Sequence, residues 1–394
     1  MKKFLLLALI LFATFSFAQS WQPIANLPSG RHHPVTFTLN GKGYAVTGTN
    51  SSNSPTKDFY EYDPLTDSWS TLTSFPGAAR SFGIGLSLNG KGYLGFGATT
   101  TQYLYDLWSY DPQTGQWTQL AICPCTGRRH PAMIALGNKI YVGLGDDANG
   151  NLRDWWMYNI NTDSWTQIGN LPGPPRHHPF QFKADGELFA GMGHGAGIYD
   201  DWYKLDTTTN SWTAVKDFPG EARVAGTQFS WNGFGFVLSG DGSDHSFMAT
   251  GEMWRYAADT DSWTQFAAHP GISRWAPGSF VINDHVYFFG GFNRLNQQYP
   301  LAAYKFDLAG ATVSIEEQTV AGLSIFPNPG SDVIHWDTDQ NVSEVQVLNT
   351  VGQLIKSTSA HYKELNISSL QPGIYLVQFK EGEKVLRTVK WIKE

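Results

Sequence analysis

Large apolar residues fall at every second position from Phe82 to Leu88, and a second apolar run, Tyr93 to Gly97, follows after Asn89-Gly90. A period of two sends alternate side chains to opposite faces of an extended chain. Asn-Gly supplies the positive φ angles that a two-residue hairpin needs. The pattern therefore predicts antiparallel strands joined by tight turns.

The same block recurs. Trp21, Trp69, Trp117, Trp165, Trp212 and Trp263 stand 48, 48, 48, 47 and 51 residues apart. After each Trp come a Pro, an Arg, an alternating apolar run, a turn and a second apolar run ending in Gly; a polar loop and a Tyr-bearing run complete the block. Tyr62 to Trp69 closes one such unit, and Tyr110 to Trp117 closes the next. Four short strands make a sheet too small to bury both faces alone. Six such sheets set around an axis bury their faces on one another, which is a β-propeller. The first Trp run precedes its block, and the last block ends near Asp307 without one. This offset predicts that Gln19 to Leu27 pairs with the run containing Tyr304, Lys305 and Phe306, closing the ring.

Composition agrees with an all-β chain. Aromatic residues make up 14% and charged residues 15% of the 394 positions, with 41 Gly and 20 Pro. That balance excludes a coiled coil, a helical bundle and a disordered chain. A net charge of −7 argues against nucleic acid as a partner, since neutralising phosphates takes a basic surface.

The blocks resemble kelch repeats. That pattern has Pro and Arg before the first strand, a double Gly ending the second, a Tyr strand, and a Trp six or seven residues after that Tyr. The chain follows it from Trp21 to Asp307 but departs at the double Gly: only Gly290-Gly291 keeps both, and elsewhere the pair reads Thr47-Gly48, Phe96-Gly97, Leu144-Gly145, Met192-Gly193 and Ser239-Gly240. The resemblance implies a six-bladed kelch propeller over 19–308. It implies a binding module for an extracellular glycan, peptide or small anionic ligand. It also leaves open an enzyme acting on a sugar, in the manner of a sialic acid mutarotase, or a metal-dependent oxidase of the galactose oxidase kind. The oxidase fits less well, because no Tyr–Cys crosslink set is assignable.

The two ends differ from the middle. Met1-Lys2-Lys3, an apolar stretch to Phe17, and small residues at Ser16 and Ala18 read as a secretory signal peptide over 1–18. No later run is long and apolar enough for a membrane span. Residues 309–322 read as a linker, and 323–394 as a small Ig-like β-sandwich. Pro327-Asn328-Pro329, Val345 to Gln353, Leu370-x-x-Gly373-x-Tyr375 and a basic end at Lys390 and Lys393 resemble, in order, the type IX secretion system C-terminal sorting domain of Bacteroidota. That implies export to the cell surface or beyond, with the secretion machinery as a partner.

Candidate chemistry gathers at one end of the blades. The Arg opens the first strand and the Gly ends the second, so both loops lie at the same mouth of the channel. Arg31, Arg80, Arg128, Arg176, Arg223 and Arg274 form a series, with His33, His130 and His178 two residues after three of them. Such a series either braces the blades or makes a cationic funnel for carboxylate or sulfate. Residues that break the repeat are further candidates: His194, Asp146, Asp147, Asp241, Asp244, His245, Tyr199, Asp200, Asp201 and Trp275. Cys123-Pro124-Cys125 reads three ways: a soft metal site completed by histidines such as His130, a local disulfide, or two free thiols. No cofactor is predicted, and no catalytic residue is assigned.

Overall fold

Six four-stranded antiparallel sheets follow one another between Gln22 and Asp307 in the computed structural model. The structure describes residues 21–309 and, in the tail, 323–328, 330–338, 341–348, 354–382 and 384–394. The expected signal peptide, nearly all of the expected linker, Pro329 and the motif residues Asn349 to Gln353 lie outside the described residues.

In the first blade Val35–Leu39 pairs with Lys42–Val46, which pairs with Phe59–Asp63, which pairs with Ser68–Thr71. Asn40 and Gly41 join the first two strands with φ angles of 52° and 74°, the mirror-image turn that suits the strand twist. The later blades repeat this order. Val35–Leu39, Ile84–Leu88, Ala132–Leu136, Phe180–Ala184, Thr227–Trp231 and Trp275–Ile282 all line one central cavity of about 410 Å³. The first strand of every blade is therefore the axial one.

Neighbouring blades bury their faces on each other. Val35, Phe37, Tyr44 and Phe59 of the first blade share a core with Leu94 and Tyr110 of the second. The fit is close: a Cβ at Gly92 would sit 2.5 Å from the Phe37 ring. The ring closes as expected. Gln22–Ile24 pairs antiparallel with Ala303–Asp307, with Gln22 opposite Lys305, as the outer strand of the sixth blade. Trp21 and Leu27 beside it are buried, and the Trp21 indole donates to the Ala267 carbonyl at 3.0 Å.

The departures from double glycine keep its geometry. Thr47, Phe96, Leu144, Met192 and Ser239 all have φ between 54° and 64°, followed by Gly at 88–104°. The backbone turns left-handed at both positions of the pair, and only the second needs Gly. At Gly97 a Cβ would meet the Ser81 carbonyl at 2.4 Å. At the first position the left-handed strain is accepted so that a side chain such as Phe96 or Leu144 can be fully buried.

The chain divides into two compact units between Ala311 and Thr312. In the tail, Leu323–Phe326, Val333–Thr338 and Glu364–Asn366 form one sheet; Leu354–Ser359, Glu344–Leu348, Gly373–Glu381 and Lys384–Lys393 form the other. Ile334, Trp336, Val345, Val347, Phe379 and Trp391 fill the core they share. The Tyr375 hydroxyl donates to the Gln371 carbonyl at 2.9 Å, pinning the corner as in Ig-like sandwiches.

Candidate functional site at the channel mouth

The arginine series does not line the mouth, which corrects the cationic funnel. Arg31, Arg80, Arg128, Arg176 and Arg223 have no exposed surface, and Arg274 has 5%. Each guanidinium is used inside the fold. Arg80 donates to both oxygens of Asp106 at 2.7 Å and to the carbonyl of left-handed Phe96 at 3.1 Å. Arg128 repeats this with Asp154 and Leu144, and Arg176 with Asp201 and Met192. Arg31 meets Asp58 and Arg223 meets Glu252. Arg274 bonds instead to the carbonyls of Gly290 and Ala302. The six-fold recurrence is a clamp tying the first three strands together, with the buried charge paired to a carboxylate in five blades and held by carbonyls in the sixth.

The next residue along faces the mouth. His32, Ser81, Arg129, His177, Val224 and Trp275 occupy this position. Most bridge to the segment just past the Gly: His32 to Thr49, Arg129 to Asp146, His177 to His194 and Val224 to Asp241. Arg129 and Arg294, neither in the series, present guanidiniums to the mouth. Arg129 bonds Asp146 at 2.5 and 3.0 Å, and Arg294 pairs with the buried Asp241. Arg294 also covers the Trp275 ring at 5.1 Å. Burial pushes the Asp241 carboxyl up to about 6, against the pull of Arg294.

One residue further, the chain turns to the axis. His33, Phe82, His130, His178, Ala225 and Ala276 have φ between 49° and 61°, all left-handed. Their backbones are linked from blade to blade. His33 N–H donates to the Ala276 carbonyl at 2.8 Å, His130 N–H to Phe82 at 3.0 Å, His178 N–H to His130 at 3.2 Å, and Ala276 N–H to Ala225 at 2.6 Å. These four links fix the side chains around the neck of the channel.

Three of them converge. One nitrogen from each of His33, His130 and His178 lies within 4.8 Å of the others. His33 Nε2 is 2.8 Å from His178 Nε2, and the His130 and His178 rings stack at 3.5 Å. His130 Nδ1 is 3.0 Å from the Asp146 carboxylate, and His33 Nδ1 is 2.7 Å from His32 Nδ1. His130 Nε2 and His178 Nδ1 are buried without a partner. Burial first, and then repulsion from surrounding cations and imidazoles, hold all three rings well below the usual histidine pKa, so they are neutral.

From this neck a file of histidines leads outward. His177 packs beside His130 and His178, His194 Nδ1 is 3.4 Å from His177 Nε2, and His245 meets the His194 ring edge-on at 4.4 Å. The structure thus brings His33, His130, His178, His194 and His245 together, with Asp241 and Trp275 on the same mouth. Asp201 belongs to the Arg176 clamp, whereas Asp147 and Asp244 cap local turns through Asn149 and Ser246. Cys123 and Cys125 form a disulfide, so they are not the metal ligands that one sequence reading allowed. Sequence reasoning missed His32, His177, Arg129 and Arg294. The His32-His33 and His177-His178 doublets, at equal offsets from Arg, were the available signal.

The kelch motif model matches residues 30–76 and 92–124. The model of the secretion system C-terminal sorting domain matches residues 324–394. The chain carries kelch motifs in its propeller and a type IX sorting domain at its C-terminal end. No curated protein matches it. The kelch matches fall on the first blades, and the remaining blades repeat their strand order. The sorting tail directs the kelch propeller through type IX secretion to the cell surface or the extracellular space, and implies a Bacteroidota source. No helix among the described residues is long and apolar enough to cross a membrane.

Proposed function

We propose that this kelch propeller works outside the cell as a binding module, and that its ligand is a glycan seated at the channel mouth. The supporting observation is the composition of that mouth. Half-buried Trp275, with Arg294 over one face of its ring, shares the mouth with two carboxylate–guanidinium pairs, Asp146–Arg129 and Asp241–Arg294. A sugar needs both: a flat apolar surface for its C–H face and fixed donors and acceptors for its hydroxyls. An anionic ligand is disfavoured, because the arginine series is buried within the fold and each mouth arginine has a carboxylate partner. The opposite face offers tight turns such as Asn40-Gly41. A glycan array probed with the full chain tests the reading. Trp275→Ala and Arg294→Ala should each weaken capture about tenfold or more, a loss of about 1.4 kcal/mol. Unchanged capture in both, or loss on substitution of Asn40-Gly41, would overturn it.

Asp241 supports a second reading, an enzyme acting on a sugar at the same mouth. A buried carboxyl raised to about 6 is suited to moving a proton near neutral pH.

A further inference from the structure

The neck histidines pose a problem that their surroundings leave unsolved. One nitrogen of each of the three rings lies within 4.8 Å of the others, and only one proton can lie between His33 Nε2 and His178 Nε2 at 2.8 Å. His130 Nε2 and His178 Nδ1 have no donor or acceptor in reach, and a buried unpaired polar atom costs about 1–3 kcal/mol. The fold nevertheless enforces the arrangement: each ring stands on a left-handed residue whose N–H is bonded to the neighbouring blade.

We infer that His33, His130 and His178 form a transition-metal site at the neck of the channel, for a divalent ion of the zinc class. Three facts carry this. The donors are all imidazole nitrogens, the set that suits zinc, copper or nickel over calcium or magnesium. The trio's nitrogens lie within 4.8 Å of one another, near the roughly 3.3 Å between nitrogens bound ~2.05 Å from a tetrahedral ion, and an ion entering would part His33 and His178, now 2.8 Å apart, by about half an ångström. The outer nitrogen of His130 is held by Asp146, the carboxylate support that fixes a ligating imidazole and raises its basicity. His33 has His32 in the corresponding place.

The same three residues line the axial cavity of about 410 Å³. The fourth coordination position therefore opens onto a space that takes water or part of a ligand, as in zinc sites with three protein ligands. His177, His194 and His245 give an incoming ion successive imidazoles from the rim to the neck. The metal ligands are separate from the groups proposed to hold the glycan, and Asp146 alone touches both.

The experiment uses the full chain, stripped with a chelator and then given zinc or cobalt(II) alone. After desalting, metal per chain is measured by mass spectrometry, and the cobalt form by its visible absorption. The fold supplies benign substitutions: Ala225 and Ala276 occupy the equivalent position with the same left-handed φ. His130→Ala and the double variant His33→Ala/His178→Ala should therefore fold, as checked by melting in the metal-free state. Expected results are one ion per wild-type chain with intense four-coordinate cobalt absorption, affinity at least a hundredfold lower in both neck variants, and retention in the rim variant His194→Ala/His245→Ala. No metal retained by wild type, equal metal in folded neck variants, or loss only in the rim variant would each overturn the proposal. Glycan capture by the metal-free chain reads the mouth separately, so either proposal can fail without the other.

Discussion

Arg128, with no exposed surface, donates to both carboxylate oxygens of Asp154 at 2.8 and 2.9 Å. The pair bridges the opening of the first strand to the start of the third, and Arg128 also holds the Leu144 carbonyl at 3.2 Å where the second strand ends. Removing the cation strands a carboxylate and a carbonyl together. Arg128→Ala should destabilise the propeller by about 3–5 kcal/mol, read from urea midpoints at constant slope. A loss below about 1 kcal/mol would show the clamp to be ornamental.

The clamps set a pH dependence. Burial alone would raise Asp106, Asp154 and Glu252, but bonds and charge from Arg80, Arg128 and Arg223 outweigh it, leaving each below its ordinary value. A carboxylate depressed on folding contributes stability that is complete above its unfolded pKa and lost as pH falls through the folded one. Stability should therefore fall as pH drops below the ordinary values of 3.8 and 4.5. Urea titrations across that range should have a shallower pH slope in Asp154→Asn.

Asp241 works in the opposite sense. Its carboxyl is raised from 3.8 to about 6, so folding favours its proton, and stability falls as pH rises between those values. Asp241→Asn should remove that decline, and its melting temperature should fall less than wild type's between pH 4 and pH 6. A steeper decline in the variant would mean that Arg294 dominates burial.

Deleting residues up to Leu27 would remove the strand Gln22–Ile24 and the buried Trp21 and Leu27. Ala303–Asp307 would become an open sheet edge. The expected outcome is a lower melting temperature with self-association on gel filtration. A monomer of unchanged stability would show that closure is dispensable.

Deleting 323–394 should leave the propeller in the periplasm of a Bacteroidota host, since the sorting domain occupies 324–394. Cell fractionation reads the outcome. Surface delivery of the truncated chain would remove the tail from the export route.

Much of this architecture was legible because it repeats. Six Trp residues at near-constant spacing and the offset at the two ends sufficed for blade number and closure. The arginine series was visible too, but its purpose was not, because the clamping acids lie 25–29 residues downstream, where Asp58, Asp106 and Glu252 look like ordinary loop acids. The neck site was least legible. His33 and His178 are 145 residues apart, and only the circular arrangement makes them neighbours. Their left-handed backbone carries no glycine to mark it; His, Phe and Ala occupy all six positions.

The pairing of Gln22–Ile24 with Ala303–Asp307 has a mechanical consequence. The strand that runs on toward the sorting tail is not an edge: it is laced to His285–Phe292 on one side and to the N-terminal strand on the other. Tension applied through the tail, whether by a translocating machine or by a tether at the cell surface, loads two hydrogen-bonded ladders at once. The propeller is thus hung from an inner strand, and peeling that strand away would break the ring's own seam along with its ladder to the rest of the blade.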